Sequence, residues 1–143
     1  MNVHIIFHTK SATPIRGLDV PRMHDYIGGI IKGMNADPIA IGGVEDHVHI
    51  LATLPKTMAL SDFVRTMKAE SSRWIKGMDM YYRAFAWQEG YGAFSVSATK
   101  TGTVKAYIGN QQEHHRTRTF REEYEEFLKA YNMEYDERYL DND

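Results

Sequence analysis

The chain has 143 residues, 43% of them hydrophobic and 25% charged, with a formal net charge of −2. That is the size and composition of one globular domain able to enclose a core, and not of a disordered or fibrous segment. Cysteine is absent, which excludes disulfides, thiolate catalysis and sulfur-ligated zinc and leaves the seven histidines as the donors to inspect.

No apolar run is long enough to span a bilayer. Met1-Asn2-Val3-His4 shows no basic region leading into an apolar stretch, so a cytoplasmic, membrane-free protein is expected. The charge is unevenly spread. Residues 1–121 carry fifteen Lys+Arg against ten Asp+Glu, a balance of +5, and residues 122–143 carry two against nine, a balance of −7. A mildly basic body suits a polyanionic partner but does not identify one.

Val3 to Phe7 is β-prone and reads as the first strand. After a loop over residues 10–18, Asp19 is placed to cap a helix over about Val20 to Asn35. Pro21 is tolerated in its first turn, and Met23, Tyr26, Ile27, Ile30, Ile31 and Met34 recur at helical spacing. Two strands follow, Ile39 to Val44 and His47 to Leu54, joined tightly through Glu45-Asp46. A second helix is expected over about Ala59 to Gly77, with an apolar stripe of Leu60, Val64, Met67, Ser71, Trp74 and Met78, and with Arg65, Lys68, Ser72 and Lys76 opposite. Phe85 to Trp87 and Ala93 to Ser97 read as strand segments. A third helix begins near Thr103 and runs through His114, and a last helix covers about Arg121 to Tyr131. An acidic tail occupies about 132–143. The order strand, helix, strand, strand, helix, strand, helix predicts a single α+β domain over 1–143. Its expected form is a ferredoxin-like or RRM-like antiparallel sheet, with helices on one face and an added C-terminal helix.

Two features carry chemistry. In His47-Val48-His49 the two imidazoles stand at i and i+2 of a strand, so they share a face and can ligate one ion while Val48 packs into the core. The alternative is a pair of hydrogen-bonded or solvent-facing histidines. Tyr107 and Gln111 stand four residues apart on the third predicted helix, hence on one side of it about one turn apart. Gln offers a neutral oxygen to a hard ion, and Tyr offers a phenol with an ordinary pKa of ~10. Taken alone, Tyr107 is one of nine tyrosines and reads equally as a packing aromatic. Together the features describe a site in which an ion with open positions polarises a phosphate while a phenol attacks it. No Gly-x-x-x-x-Gly-Lys-Ser/Thr loop is present.

These residues resemble the single-tyrosine HUH transposases of small bacterial insertion sequences. His47-Val48-His49 matches the His-hydrophobic-His element, and Tyr107 with Gln111 matches the downstream Tyr-x-x-x-Gln. The runs Glu45 to Leu51, Lys68 to Ile75, Trp87 to Val96 and Phe120 to Leu140 extend the likeness over nearly the whole chain. The resemblance implies His47, His49 and Gln111 as ligands of Mg²⁺ or Mn²⁺ and Tyr107 as a nucleophile forming a 5′-phosphotyrosine. It implies single-stranded DNA hairpins at element ends as substrate. It also implies a homodimer with composite sites, in which the histidines of one subunit work with the tyrosine of the other. Gly102 and Gly109 are positions where the Tyr107 helix is expected to yield.

Lys10, Arg16, Arg65, Lys68 and Lys76 are candidate DNA contacts, with a solvated cationic surface as the plain alternative. His4 and His8 are expected to be structural, and His114-His115 a polar helix end. Of Trp87, Tyr91 and Phe94, which could stack on bases, at least two are expected in the core. Three rival functions stand beside the transposase. The first is an RRM-like binding module, which would need aromatics where the central strand has His47 and His49. The second is a two-histidine phosphoesterase, for which no clean second His-x-Thr/Ser motif is present. The third is a transposase relative recruited by its host as a single-stranded DNA-binding or nicking protein, which keeps the same site.

Overall fold

The computed structural model describes residues 1–10, 13–110, 122 and 125. Four strands and three helices alternate in it: β1 (Asn2–His8), α1 (Val20–Gly33), β2 (Asp37–Val44), β3 (His47–Thr53), α2 (Leu60–Met78), β4 (Gly92–Val96) and α3 (Thr101–Gly109), with 3₁₀ turns at Gly17–Asp19 and Met80–Tyr82. The sheet order is β2-β3-β1-β4 and every pairing is antiparallel. β1 and β2 therefore run parallel with β3 between them, and α1 makes the crossover. This is the split βαβ arrangement of the expected ferredoxin-like fold.

Strand alternation divides the sheet into two unlike faces. Val3, Ile5 and Phe7 of β1 and Val48, Ile50 and Ala52 of β3 join Met23, Ile27 and Ile31 of α1 and Phe63, Val64, Met67 and Ile75 of α2 in the main core. The other face carries His4, Ile6 and His8 on β1 and His47, His49 and Leu51 on β3. There α3 packs through Val104 and Ile108 against Leu51 and Val96, with Ile39 and Ala40 alongside. α1 and α2 thus lie on one face, and the added helix lies on the other.

Local chemistry explains most boundaries. Asn35, at φ 61°, turns the chain out of α1 in the left-handed region that Asn tolerates. Pro38 sits near the start of β2, an edge strand, where its missing N–H is harmless. Asp19 precedes α1 as expected but makes no side-chain cap bond. Its buried carboxylate instead accepts from the Tyr82 hydroxyl at 2.6 Å and pairs with Arg16 and Arg22. In α2 the buried line is Phe63, Val64, Met67, Ser71 and Ile75, shifted from the expected stripe, so Leu60, Trp74 and Met78 are only partly buried. Trp74 turns outward to stack on Tyr26, with ring centroids 4.6 Å apart.

Phe85 to Trp87 does not form a strand. It makes one isolated bridge, Thr9 to Trp87, and side chains hold it instead: Trp87 Nε1 donates to Ser71 Oγ at 2.9 Å, and Lys68 Nζ donates to the Gln88 and Gly90 carbonyls at 2.8 and 2.7 Å. Trp87 and Phe94 are buried and Tyr91 is half-buried. Among the described residues no helix is long and apolar enough to cross a membrane. α3 ends at Gly109 with Asn110 in a turn, short of the expected run through His114, so Tyr107 and Gln111 do not share one unbroken helix; residues 111–121 and the acidic tail lie outside the described residues. Glu122 and Glu125, within the expected last helix, are helical.

Candidate active site

β3 is a central strand, so His47 and His49 are flanked on both sides and both are buried, each 1% exposed. Their rings are 5.2 Å apart. Each uses its Nδ1 for a structural bond. His47 Nδ1 lies 2.8 Å from Asp46 Oδ1; a carboxylate only accepts, so Nδ1 donates, and in the neutral ring Nε2 then carries the lone pair. His49 Nδ1 lies 2.9 Å from His4 Nε2. For His49 to present a ligating Nε2 it must donate through Nδ1, which puts the proton of His4 on Nδ1. Fixing the tautomer of a ligating imidazole through its other nitrogen is how metal-binding histidines are oriented.

α3 supplies the third member. Val104 and Ile108, one turn apart, anchor the helix on the sheet. Tyr107, next to the second anchor, faces β3, and its ring lies edge-on to His49 with centroids 5.9 Å apart. Two backbone positions allow this approach. Gly43, at φ 148°, occupies a conformation L side chains rarely adopt and shapes the hairpin just before His47. Gly42 pairs with His49 across the ladder and lies beneath Ile108.

The donor set suits a divalent ion of nitrogen and oxygen preference. His47 and His49 are two imidazoles on one face, and Gln111, the expected oxygen donor, lies outside the described residues. Among the described residues no group of three His, Cys, Asp or Glu side chains is placed to hold a metal.

His4 and His8, expected to be structural, are so in a particular way: both lie on the face of β1 that borders the two site histidines. His4 bonds to His49, stacks on it with centroids 5.2 Å apart, and leans on Phe94. His8 pairs with His47 in the β1/β3 register, and its Nδ1 donates to the Thr9 carbonyl at 2.7 Å. The signal was available, since both stand on one face of β1, but it has meaning only once β1 is known to lie beside β3. The end of β1 is itself pinned: Gln88 N donates to His8 O, and His8 N donates to Gln88 Oε1, both at 2.8 Å.

The five candidate DNA contacts separate. Arg16 is engaged within the fold. It pairs with Asp19 and Asp79 at 3.3 and 3.1 Å and lies over the rings of Tyr81 and Tyr82. Lys68 directs its ammonium to backbone carbonyls and to the faces of Phe7 and Tyr91; burial pulls it down to about 8, with Glu89 opposing. Arg65 and Lys76 are exposed on α2, the former paired with Asp62. Lys10 is half-buried just past the end of β1. A cleft of about 560 Å³ lies between α2 and residues 86–91, away from the histidines.

Fold and site together define a ferredoxin-like α+β protein with a His–His–Tyr centre on the sheet face opposite its two long helices. The family follows from comparison with known proteins: the model described as transposase, IS200-like, matches residues 1–111, and the chain belongs to the IS200-like transposase family. Among solved structures, a transposase candidate from Deinococcus radiodurans R1 is similar at 21% identity and a TM-score of 0.60, over 78% of this chain and 90% of that one. A REP-associated tyrosine transposase bound to a REP hairpin is similar at 15% identity and a TM-score of 0.60, over 80% of this chain and 67% of that one. At these identities the likeness is one of fold. No curated protein matches the chain.

Proposed function

We propose that this transposase cleaves and rejoins single-stranded DNA with Tyr107 as the nucleophile, through a 5′-phosphotyrosine intermediate. The observation that carries the reading is the edge-on approach of Tyr107 to His49 beside His47 on one sheet face. A phosphate seated between the two imidazoles and the phenol is within reach of both.

In the proposed step the Tyr107 phenol loses its proton and its oxygen bonds to phosphorus. The P–O3′ bond breaks, and the departing 3′ oxygen takes up a proton. The reverse step, with a different 3′-OH attacking, rejoins DNA without ATP because the phosphodiester energy is kept in the tyrosyl ester. His47 and His49 through Nε2, with Gln111, would hold Mg²⁺ or Mn²⁺, and a bound ion of this kind supplies polarisation of the phosphate and relief of charge on the leaving oxygen. Asp46 and His4 orient the two imidazoles. α3 positions the phenol, and anchoring the nucleophile in this way replaces a bimolecular encounter by an oriented one.

The substrate we propose is a DNA hairpin with single-stranded flanks at the ends of a mobile element. The REP hairpin bound by one structural neighbour supports it. Lys10, Arg65 and Lys76 are the proposed phosphate contacts. The proposed assembly is a cytoplasmic homodimer, whose histidine and tyrosine halves come together within a chain or between chains.

The test uses labelled single-stranded DNA from the regions flanking the gene, incubated with Mg²⁺ or Mn²⁺ and resolved on a denaturing gel. The wild-type chain should give a metal-dependent protein–DNA adduct. Tyr107→Phe should give none while still binding the DNA. An adduct that persists in Tyr107→Phe, or cleavage at full rate in chelator, would overturn the assignment.

A further inference from the structure

We propose that Gly42 is a positioning residue of the site: the absence of a side chain there is the seat that lets α3 lie on its own sheet and brings Tyr107 to His49. Gly42 stands on edge strand β2, directly across from His49. Cross-strand partners project to the same face, so a side chain at 42 would rise beside the His49 ring, where α3 passes. A Cβ built on Gly42 would lie 2.2 Å from the Ile108 carbonyl oxygen, 2.8 Å from Ile108 Cγ2 and 3.1 Å from the Ile108 carbonyl carbon. Two of those three atoms are backbone, so no rotamer change relieves the clash and the helix itself must move. Reaching an ordinary contact of 3.4 Å or more requires a shift of about 1 Å.

The neighbouring glycines set this one apart. A Cβ at Gly102 or Gly109, inside α3, would meet nothing within 4 Å, so neither is needed for close approach. Gly43 is constrained by its φ of 148° and by His47 O at 2.3 Å from a built Cβ, which is a demand of the hairpin and not of the helix. Of Gly42, Gly43, Gly102 and Gly109, it is Gly42 that couples the sheet to the backbone of the Tyr107 helix. Its β2 ladder does not require glycine, and Val there suits a strand better than Gly does. Gly42→Val therefore separates the seat from the sheet.

The inference concerns the placement of α3 and rests on the reading of Tyr107 as nucleophile only for its consequence on DNA. Because the chain has no cysteine, spin labels can be placed solely at Asp37→Cys on β2 and Lys105→Cys on α3, both exposed. Labelled chains diluted into unlabelled ones report the distance within a chain. A single narrow distance is expected with Gly42. A shifted or broadened one is expected in Gly42→Val and, to a smaller extent, in Gly42→Ala, with thermal unfolding of the sheet retained. Gly109→Ala, which adds the same methyl in open space, should leave the distance unchanged. An unchanged distance in a folded Gly42→Val or Gly42→Ala chain overturns the proposal. In the same variants adduct formation should slow by about 100-fold at unchanged DNA affinity, the loss expected of a nucleophile misplaced by about 1 Å. A wild-type chain that forms no adduct would overturn the tyrosine reading and leave the distance result standing.

Discussion

Asp46 illustrates how much of the site depends on groups that never touch substrate. Its carboxylate is 58% exposed and accepts from His47 Nδ1. Its side chain contributes little to the core, so Asp46→Ala should leave stability unchanged within about 0.5 kcal/mol, as surface substitutions do. It should weaken Mn²⁺ binding by roughly 10-fold, the low end for losing the partner of a ligating imidazole. Titration of Mn²⁺ followed by electron paramagnetic resonance measures the affinity without turnover. Equal affinity in wild type and Asp46→Ala would show that His47 is oriented by something else. At this scale the sequence was informative where chemistry is local. His47-Val48-His49 declares its shared face by strand alternation alone, and Glu45-Asp46 declares the hairpin that presents it. The partner of His4 and the role of Gly42 were not legible, because each comes from a neighbouring strand. Histidine on β1 matters through the β1/β3 register, and a glycine in β2 would ordinarily read as a weak point in a strand.

At the scale of elements, two segments are held in ways that their own sequences do not state. α3 has nine residues and two buried anchors, Val104 and Ile108. A helix this short is unstable in isolation, so its order depends on docking, and burial of the two anchors supplies about 3–6 kcal/mol before ordering costs. The Tyr107 helix therefore depends on its docking to the sheet for its order. The 86–90 segment is the converse case. Its aromatics suggested a strand, yet Lys68 and Ser71 of α2 satisfy its polar groups, and Gln88 then braces His8. Lys68→Met keeps the stem over Phe7 but leaves the Gln88 and Gly90 carbonyls without their charged donor. A hydrogen bond from a charged group contributes about 1.5–3 kcal/mol, and non-additivity argues for less than twice that. A loss of about 2–4 kcal/mol in urea unfolding is expected. A loss below about 0.5 kcal/mol would show that water replaces the ammonium freely.

For the whole molecule, acid stability is expected to depend on a histidine remote from the site. His24 lies in α1 and is only partly exposed. Burial pushes it down from 6.5 to about 4, with Asp25 opposing the shift. The neutral ring is therefore favoured in the folded chain, while the unfolded chain takes up a proton near the ordinary value. Above about pH 6.5 neither state is protonated there and the group costs nothing. As pH falls from 6.5 towards 4 the unfolded state alone binds the proton, so stability declines; below about 4 both states bind it and the decline from this group stops. A shift of that size corresponds to at most about 3 kcal/mol, a substantial part of the 5–15 kcal/mol typical of a domain. Urea midpoints at pH 7.5 and pH 4.5 should differ accordingly, and His24→Gln should remove most of the difference between them. A slope that survives His24→Gln would place the acid sensitivity elsewhere.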